Sequence, residues 1–464
     1  MSLTRRKLIQ SAVIAGGAAA ITPLVGGKAF AATRGMPLRV RGGQLEKLHL
    51  LHVGIGGSIA PGDRGQLKGH KDVVFSGLCD IDANTLARVS KEHPDAFTCS
   101  DFREAFAKHA DKFDAAVVCT PDHNHALIMM TAMKANKHVY GQKPLVQQLS
   151  EVGAIEGAIK AKPDLITQVG NQRMGPPGRQ HAVDIMKKGL LGKAIEAHVS
   201  VNGPPDNGDG YFWYGGNKPA QVPANIDWTL WQGAAQDAPY REGLVGLKWR
   251  SSWDYGTGQI GDWCTHLLDI LFFGLELASP TAVLSHAHHA SDMFHAQHVH
   301  ATLTFPGGGE KFARPVFPVH FCDKGQMPSR ASLGLPPGNF QTTGTLVVCE
   351  NGVMYVTPEG GIEVWQDGKP VDWQKIPGQG QVTGRNHWHS WVDKIMGREN
   401  AFVQTPFSYG ARIAEAGLLC VKAARFPGQE LRWDKPSLSF TNHKQATESI
   451  VRRQYRAGFE LPVF

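Results

Sequence analysis

The chain has 464 residues, of which 42% are hydrophobic and 19% charged. That length suits two domains of ordinary size, and that composition excludes a wholly disordered chain or a long coiled coil. The formal charge is only +7, and no basic run is interleaved with aromatics, which argues against a nucleic-acid partner.

Residues 1–31 read as an export label rather than as fold. Thr4 precedes the twin arginines Arg5 and Arg6, a Gly/Ala-rich apolar stretch follows, and Ala29-Phe30-Ala31 offers a small-x-small cleavage site. This is the layout of a Tat secretory signal, which predicts a periplasmic or otherwise exported protein served by the Tat machinery. The apolar stretch is about 17 residues with Pro23 inside it, poor for spanning ~30 Å of hydrocarbon. Arg5, Arg6, Lys7 and Lys28 leave with this segment, so the mature chain carries about +3. No later stretch is long and apolar enough for a membrane helix, so no span is expected in the mature protein. The seven cysteines show no Cys-x-x-Cys and no metal spacing; Cys79, Cys119, Cys264 and Cys420 lie in apolar runs and read as small core residues.

Residues 32–47 are expected to form an extended arm, and 48–170 a nucleotide-binding domain. Five apolar strands are predicted, in LHLLHVGIGG, DVVFSGLCDID, FDAAVVCTPDHNH, HVYGQKPL and LITQVGNQ. Their helix-length connections signal an α/β fold with a doubly wound parallel sheet. Gly54 permits a tight turn after the first strand, and Gly56, followed by Gly57, lets backbone approach a pyrophosphate. Asp80 stands 26 residues after Gly54, where a carboxylate accepts from an adenosine ribose and favours NAD over NADP. Ile59 occupies the third glycine position, with Pro61 and Gly62 after it, so the first helix is expected to start a turn late.

Three segments look chemical. Thr120-Pro121-Asp122-His123-Asn124-His125 and Gly141-Gln142-Lys143-Pro144 follow strand ends, where such sheets place ligands. In the third, Asp254–Asp269, Asp262 and His266 are four apart and would stack on one helix face. Together with DWTLWQGAA, WRSSWDYGTGQIGDWCTHLLDI, NHWHSWVDKI and YRAGFEL, these motifs resemble the Gfo/Idh/MocA oxidoreductases, the glucose–fructose oxidoreductase and inositol dehydrogenase group, in an exported subgroup. The resemblance implies an N-terminal Rossmann domain and, over 171–464, a C-terminal α/β domain with a large open, mostly antiparallel sheet. It also implies a homo-oligomer.

Carried over residue by residue, the family's catalytic lysine falls on Lys143 and its Asp-x-x-x-His pair on Asp262 and His266. The family often has Glu before the lysine; here Gln142 removes a carboxylate that would hold the ammonium charged. Cofactor contacts are expected from Gly54, Gly56, Gly57, Asp80, Thr120, Pro121, His123, His125 and Lys143. Substrate contacts are expected from Asn171, Arg173, Trp213, Arg250, Trp253 and Tyr255, since aromatic faces stack on sugars and Arg and Asn bond hydroxyls. Asp262 can orient His266 or hold a sugar hydroxyl.

The implied activity is NAD-dependent hydride transfer at a secondary alcohol of a sugar, glycoside or polyol, with the cofactor tightly held because free nucleotide is scarce outside the cytoplasm. The alternative is an NAD-dependent glycosidase that oxidises C3 transiently, eliminates the aglycone, adds water and reduces the ketone back. Six histidines cluster at His286, His288, His289, His295, His298 and His300. Alternation puts His298 and His300 on one strand face, read as a solvated face or subunit contact and not as a metal site.

Overall fold

The computed structural model describes residues 40–41, 44–202, 218–288, 291–382 and 384–464. The signal-like segment 1–31, most of the expected arm, Trp213 and His289 lie outside the described residues.

Six strands form the first sheet: β1 Leu48–Val53, β2 Val73–Cys79, β3 Phe97–Cys99, β4 Ala115–Val118, β5 His138–Gly141 and β6 Thr167–Val169. All pair in parallel, in the order β3-β2-β1-β4-β5-β6. This doubly wound order opens a crevice where β1 and β4 send their connections to opposite sides. β4 reads Ala-Ala-Val-Val and is buried throughout, because a parallel sheet is covered on both faces. β3 is the strand that sequence periodicity missed; three residues at a sheet edge carry too little pattern.

Eight helices position the site: α1 Ala60–Lys68, α2 His125–Lys134, α3 Leu149–Ala161, α4 Pro177–Lys187, α5 Gly258–Leu267, α6 Asp269–Gly274, α7 His387–Ile395 and α8 Phe407–Ala423. α8 buries 15 of its 17 residues, as a helix apolar on nearly all sides must. It packs on α3 of the first sheet's layer and on α5. α7 is amphipathic and returns to the first sheet, where Trp391, Val392 and Ile395 join Leu48, Leu50 and Tyr140 in one core cluster.

The second sheet has ten strands: β7 Ala194–Val201, β8 Ala282–His288, β9 His298–Pro306, β10 Val316–Asp323, β11 Gly344–Cys349, β12 Gly352–Val356, β13 Ile362–Gln366, β14 Lys369–Val371, β15 Glu430–Asp434 and β16 Ser439–Phe440. Their order is β14-β13-β12-β11-β7-β10-β9-β8-β15-β16. Every pairing is antiparallel except β7 with β10. One face, with Ala197, Val199, Val319, Phe321, Ala301 and Leu303, packs into the same core as α5, α6 and α8. On the other face the loop after β10 lays Leu335 and Phe340 over Leu346, Tyr355 and Trp365. Beyond that cover, His286 stands opposite His300 and His288 opposite His298. His295 leaves this group: it is buried, 3.0 Å from the Gly256 carbonyl. All seven cysteines are free thiols. Among the described residues no helix is long and apolar enough to cross a membrane.

Candidate active site

A cleft runs from the glycine turn after β1, past the ends of β2 and β4, to Lys143 and Asp262. Gly54 has φ +76°, and a Cβ there would lie 2.9 Å from the backbone of Cys119 and Thr120. Only glycine lets the turn sit this close to the end of β4. Gly57 also has positive φ, and a Cβ there would meet nothing within 4 Å, so the turn faces open space. α1 begins at Ala60 with Pro61 in its first turn, as the displaced glycine pattern predicts.

Asp80 holds the turn itself. Its Oδ2 accepts from the N–H groups of Ile55 at 2.8 Å and Gly56 at 3.0 Å, and its Oδ1 accepts from Asp82 N–H at 2.9 Å. Burial raises its pKa, and these three bonds oppose that rise. Asp82, which the sequence reading passed over, also lines the cleft and accepts from Thr85 and Asn225. Thr120 lines the cleft with a buried Oγ1 that has no hydrogen-bond partner among the described residues. An open glycine turn, an acid after β2 and an unpaired hydroxyl after β4 fit a dinucleotide.

His123 and His125 do not line this cleft, contrary to the expected cofactor contacts. His125 is buried between two carbonyls, Thr120 and Pro144, each 2.7 Å from a ring nitrogen. It ties the two strand-end loops together. His123 lies 2.9 Å from the Trp231 carbonyl and edge-on to Tyr255. Burial lowers the pKa of both rings.

At the far end of the cleft, Lys143 Nζ donates to Asp262 Oδ1 at 2.9 Å and to the Asp262 carbonyl at 3.0 Å. Asp262 thus supplies the carboxylate that position 142 lacks. Gln142 instead donates to Asp63 of α1 at 2.6 Å, and Trp388 of α7 donates to the same carboxylate at 2.8 Å. A Glu at 142 would set two carboxylates face to face; the amide satisfies a buried acid instead. Arg250 lines the cleft with its guanidinium over Trp249, 3.7 Å from Asp262.

His266 is oriented by Asn171 and not by Asp262. The Asn171 amide nitrogen donates to the Thr265 carbonyl and to Asp269, so its Oδ1 is an acceptor, 2.8 Å from His266 Nδ1. Nδ1 therefore carries the proton and Nε2 the lone pair. Burial, then the charges of Lys143, Arg173 and Arg179, push this imidazole well below its usual pKa. A fully buried Arg179–Asp269 pair anchors the assembly, with Arg179 also donating to the carbonyls of His266 and Thr357.

The remaining expected substrate contacts divide. Arg173 pairs with Glu359 at 2.7 Å and lies over Trp263, which meets His266 edge-on. Glu359 and Trp263 were not anticipated. Asn171 is occupied by His266. Trp253 is buried under Arg425 and against His295, and its indole donates to Ser291. Tyr255 is buried among Trp231, Trp228 and His123. Neither of these two lines the cleft, and neither do Asn171, Arg173 and His266. Asp122 does, buried and accepting from Thr257 at 2.7 Å. Burial, then the nearby Asp262 charge, pushes its pKa up to about 7.

A doubly wound parallel sheet with this glycine turn has the form of a dinucleotide-binding fold. The chain belongs to the Gfo/Idh/MocA oxidoreductase family. Residues 49–170 match its NAD-binding Rossmann fold and residues 179–308 its C-terminal alpha/beta domain, together more than half of the chain. The uncharacterized oxidoreductase YrbE of Bacillus subtilis is 27% identical over 29% of this chain and 39% of its own. Inositol 2-dehydrogenase of Gluconacetobacter diazotrophicus is 28% identical over 26% and 36%. The chain thus spans less than two fifths of the length of each of these curated relatives. The WlbA dehydrogenase of Bordetella pertussis, solved with NADH and UDP-GlcNAcA, shares the fold with a TM-score of 0.59 at 15% identity, over 84% of this chain and 99% of that one.

Proposed function

We propose that this protein is an exported, NAD-dependent oxidoreductase that acts on a secondary alcohol of a sugar, glycoside or polyol. The observation that carries the proposal is the Lys143–Asp262 pair in the cleft wall, with His266 one helical turn beyond Asp262 on α5. Asp80 and Asp82 at the ribose end favour NAD, because both would repel a 2′-phosphate. Residues 48–170 hold the nucleotide and 171–464 bring the substrate; Tat export and assembly into a homo-oligomer belong to the same reading.

Bound NAD supplies the hydride acceptor. The substrate loses hydride from carbon and a proton from its hydroxyl. His266 Nε2, kept unprotonated by the Asn171 bond and by burial, takes that proton. Lys143 donates to the developing alkoxide, and Asp262 holds the ammonium in place. Arg250, which lines the cleft beside Asp262, meets a neighbouring hydroxyl.

The test is to release bound nucleotide from purified protein by denaturation and identify it, then supply free sugars, polyols and aryl glycosides. NAD in the protein with NADH or a keto product supports the proposal. Aglycone release without net redox replaces it with the glycosidase cycle. No nucleotide and no product would sink it.

A further inference from the structure

On the sheet face turned away from α5 and α8, three side chains converge. His198 on β7 stands directly opposite His320 on β10 in the one parallel pairing of the sheet. Glu196 lies two residues before His198 and so shares its face. One ligand atom from each residue lies within 4.8 Å of the other two. His198 Nε2 is 2.9 Å from Glu196 Oε1, and the two imidazoles stack at 4.8 Å between centroids. Thr302 Oγ1 is 3.0 Å from His320 Nδ1, which holds that ring. Among the described residues this is the one such group of His, Cys, Asp or Glu whose ligand atoms come so close.

We propose that Glu196, His198 and His320 bind one divalent transition-metal ion of the zinc class. Two imidazoles and a carboxylate are a borderline-soft set that suits zinc better than magnesium or calcium. A tetrahedral ion with bonds of about 2.0–2.2 Å needs ligand atoms about 3.3–3.6 Å apart. Modest side-chain rotation achieves this, because all three residues are half-buried and none is locked in the core. The Thr302 bond to His320 is the outer support that metal-ligating histidines usually have. The ion replaces the Glu196–His198 bond and leaves a fourth position to water. It also cross-links β7 and β10, two neighbouring strands that lie far apart in sequence. None of the three residues lines the nucleotide cleft, so the site stands independently of the proposed reaction.

The probe is Zn²⁺ alone, titrated calorimetrically into full-length, tag-free, chelator-treated protein, with Co²⁺ absorption as a second readout. The expected result is one Zn²⁺ per chain, with visible Co²⁺ bands of tetrahedral type. His198→Ala, His320→Ala and Glu196→Gln each weaken binding at least ~10-fold, the loss that even an outer-shell partner of a metal ligand typically causes. The double variant His286→Ala/His300→Ala keeps it. Zn²⁺ raises the melting temperature of the wild type and not of the ligand variants, whose melting in chelator shows that they fold. If His320→Ala does not fold, Glu196→Gln and His198→Gln carry the test. Absence of a saturable site, unchanged affinity in the ligand variants, or loss only in the His286/His300 variant would each overturn the assignment.

Discussion

In the nucleotide half, two polar side chains at the strand ends, Asp80 and His125, are tied to backbone. Asp80 takes three N–H groups of its own two loops, and His125 bridges two carbonyls. Across the cleft, α5 works differently: Asp262 meets Lys143, and His266 meets Asn171, side chain to side chain, from the ends of β5 and β6. The first arrangement shapes a binding turn that is complete within one sheet. The second exists only where α5 docks against that sheet. Binding and chemistry should therefore respond to different substitutions.

Lys143→Ala should show the largest effect. It removes the cross-cleft pair and leaves the glycine turn alone, so turnover should fall at least ~10²-fold, the scale of one acid–base or electrostatic group. Nucleotide affinity, followed by fluorescence titration, should fall much less. Near wild-type turnover would mean that the chemistry lies elsewhere.

Gly54→Ala is the converse. A Cβ 2.9 Å from the Cys119–Thr120 backbone, at φ +76°, forces the turn to shift. A strain of about 1–3 kcal/mol should appear as roughly tenfold or more weaker nucleotide binding. Turnover at saturating nucleotide should stay close to normal; equal losses in both would erase the distinction between the halves.

That distinction also explains what the sequence revealed. The glycine turn at Gly54 and Gly56 was legible because a backbone requirement is local, whereas Asp80, expected to accept from a ribose, also holds that turn through the backbone N–H groups of Ile55 and Gly56. Lys143, Asp262 and His266 were legible as residue types through the family motif, but their pairing was not. Lys143 and Asp262 are 119 residues apart, and Asn171 and His266 are 95 apart. Spacing on α5 put Asp262 and His266 on one face and left Asp262 either to orient that ring or to hold a sugar hydroxyl, whereas tertiary packing gives each a different partner. His123 and His125 misled for a related reason. A loop after a strand can turn a side chain into the cleft or beneath it, and no periodicity says which. Gln142 was read as a loss of charge, while its partner, Asp63, lies 79 residues away on α1. The order of the ten-stranded sheet, with β7 inserted between β10 and β11, was equally invisible to pattern.

Asn171→Ala should have a smaller effect. One buried hydrogen bond, worth about 1 kcal/mol or a little more, orients His266, so a loss near tenfold in kcat/KM is expected. A purely structural role would lower activity evenly across pH. Asn171→Asp separates the two: a carboxylate at Nδ1 raises the imidazole pKa, so the acid limb of the kcat/KM profile should move to higher pH. An unmoved limb would remove His266 as the base.

Asp122→Asn should give the smallest change and the sharpest dependence on pH. The Asp122 carboxyl is pushed up to about 7 by burial and then by Asp262. The unfolded chain holds that group near the ordinary carboxylate value, about 3.9. Between these values the folded state binds more protons than the unfolded state, so this residue makes stability fall as pH rises through the window. Its cost is absent below about pH 4 and complete above about pH 7. Asn keeps an acceptor for Thr257, at 2.7 Å in the native pair, and never ionises. The variant should therefore melt a few degrees above wild type at pH 8, the shift expected for one or two kcal/mol in a chain of this size, and level with it near pH 4. A gap that stays constant with pH would show that Asp122 does not titrate in this window. It would then be a plain hydrogen-bond acceptor, held by a side chain of the second half as Lys143 is.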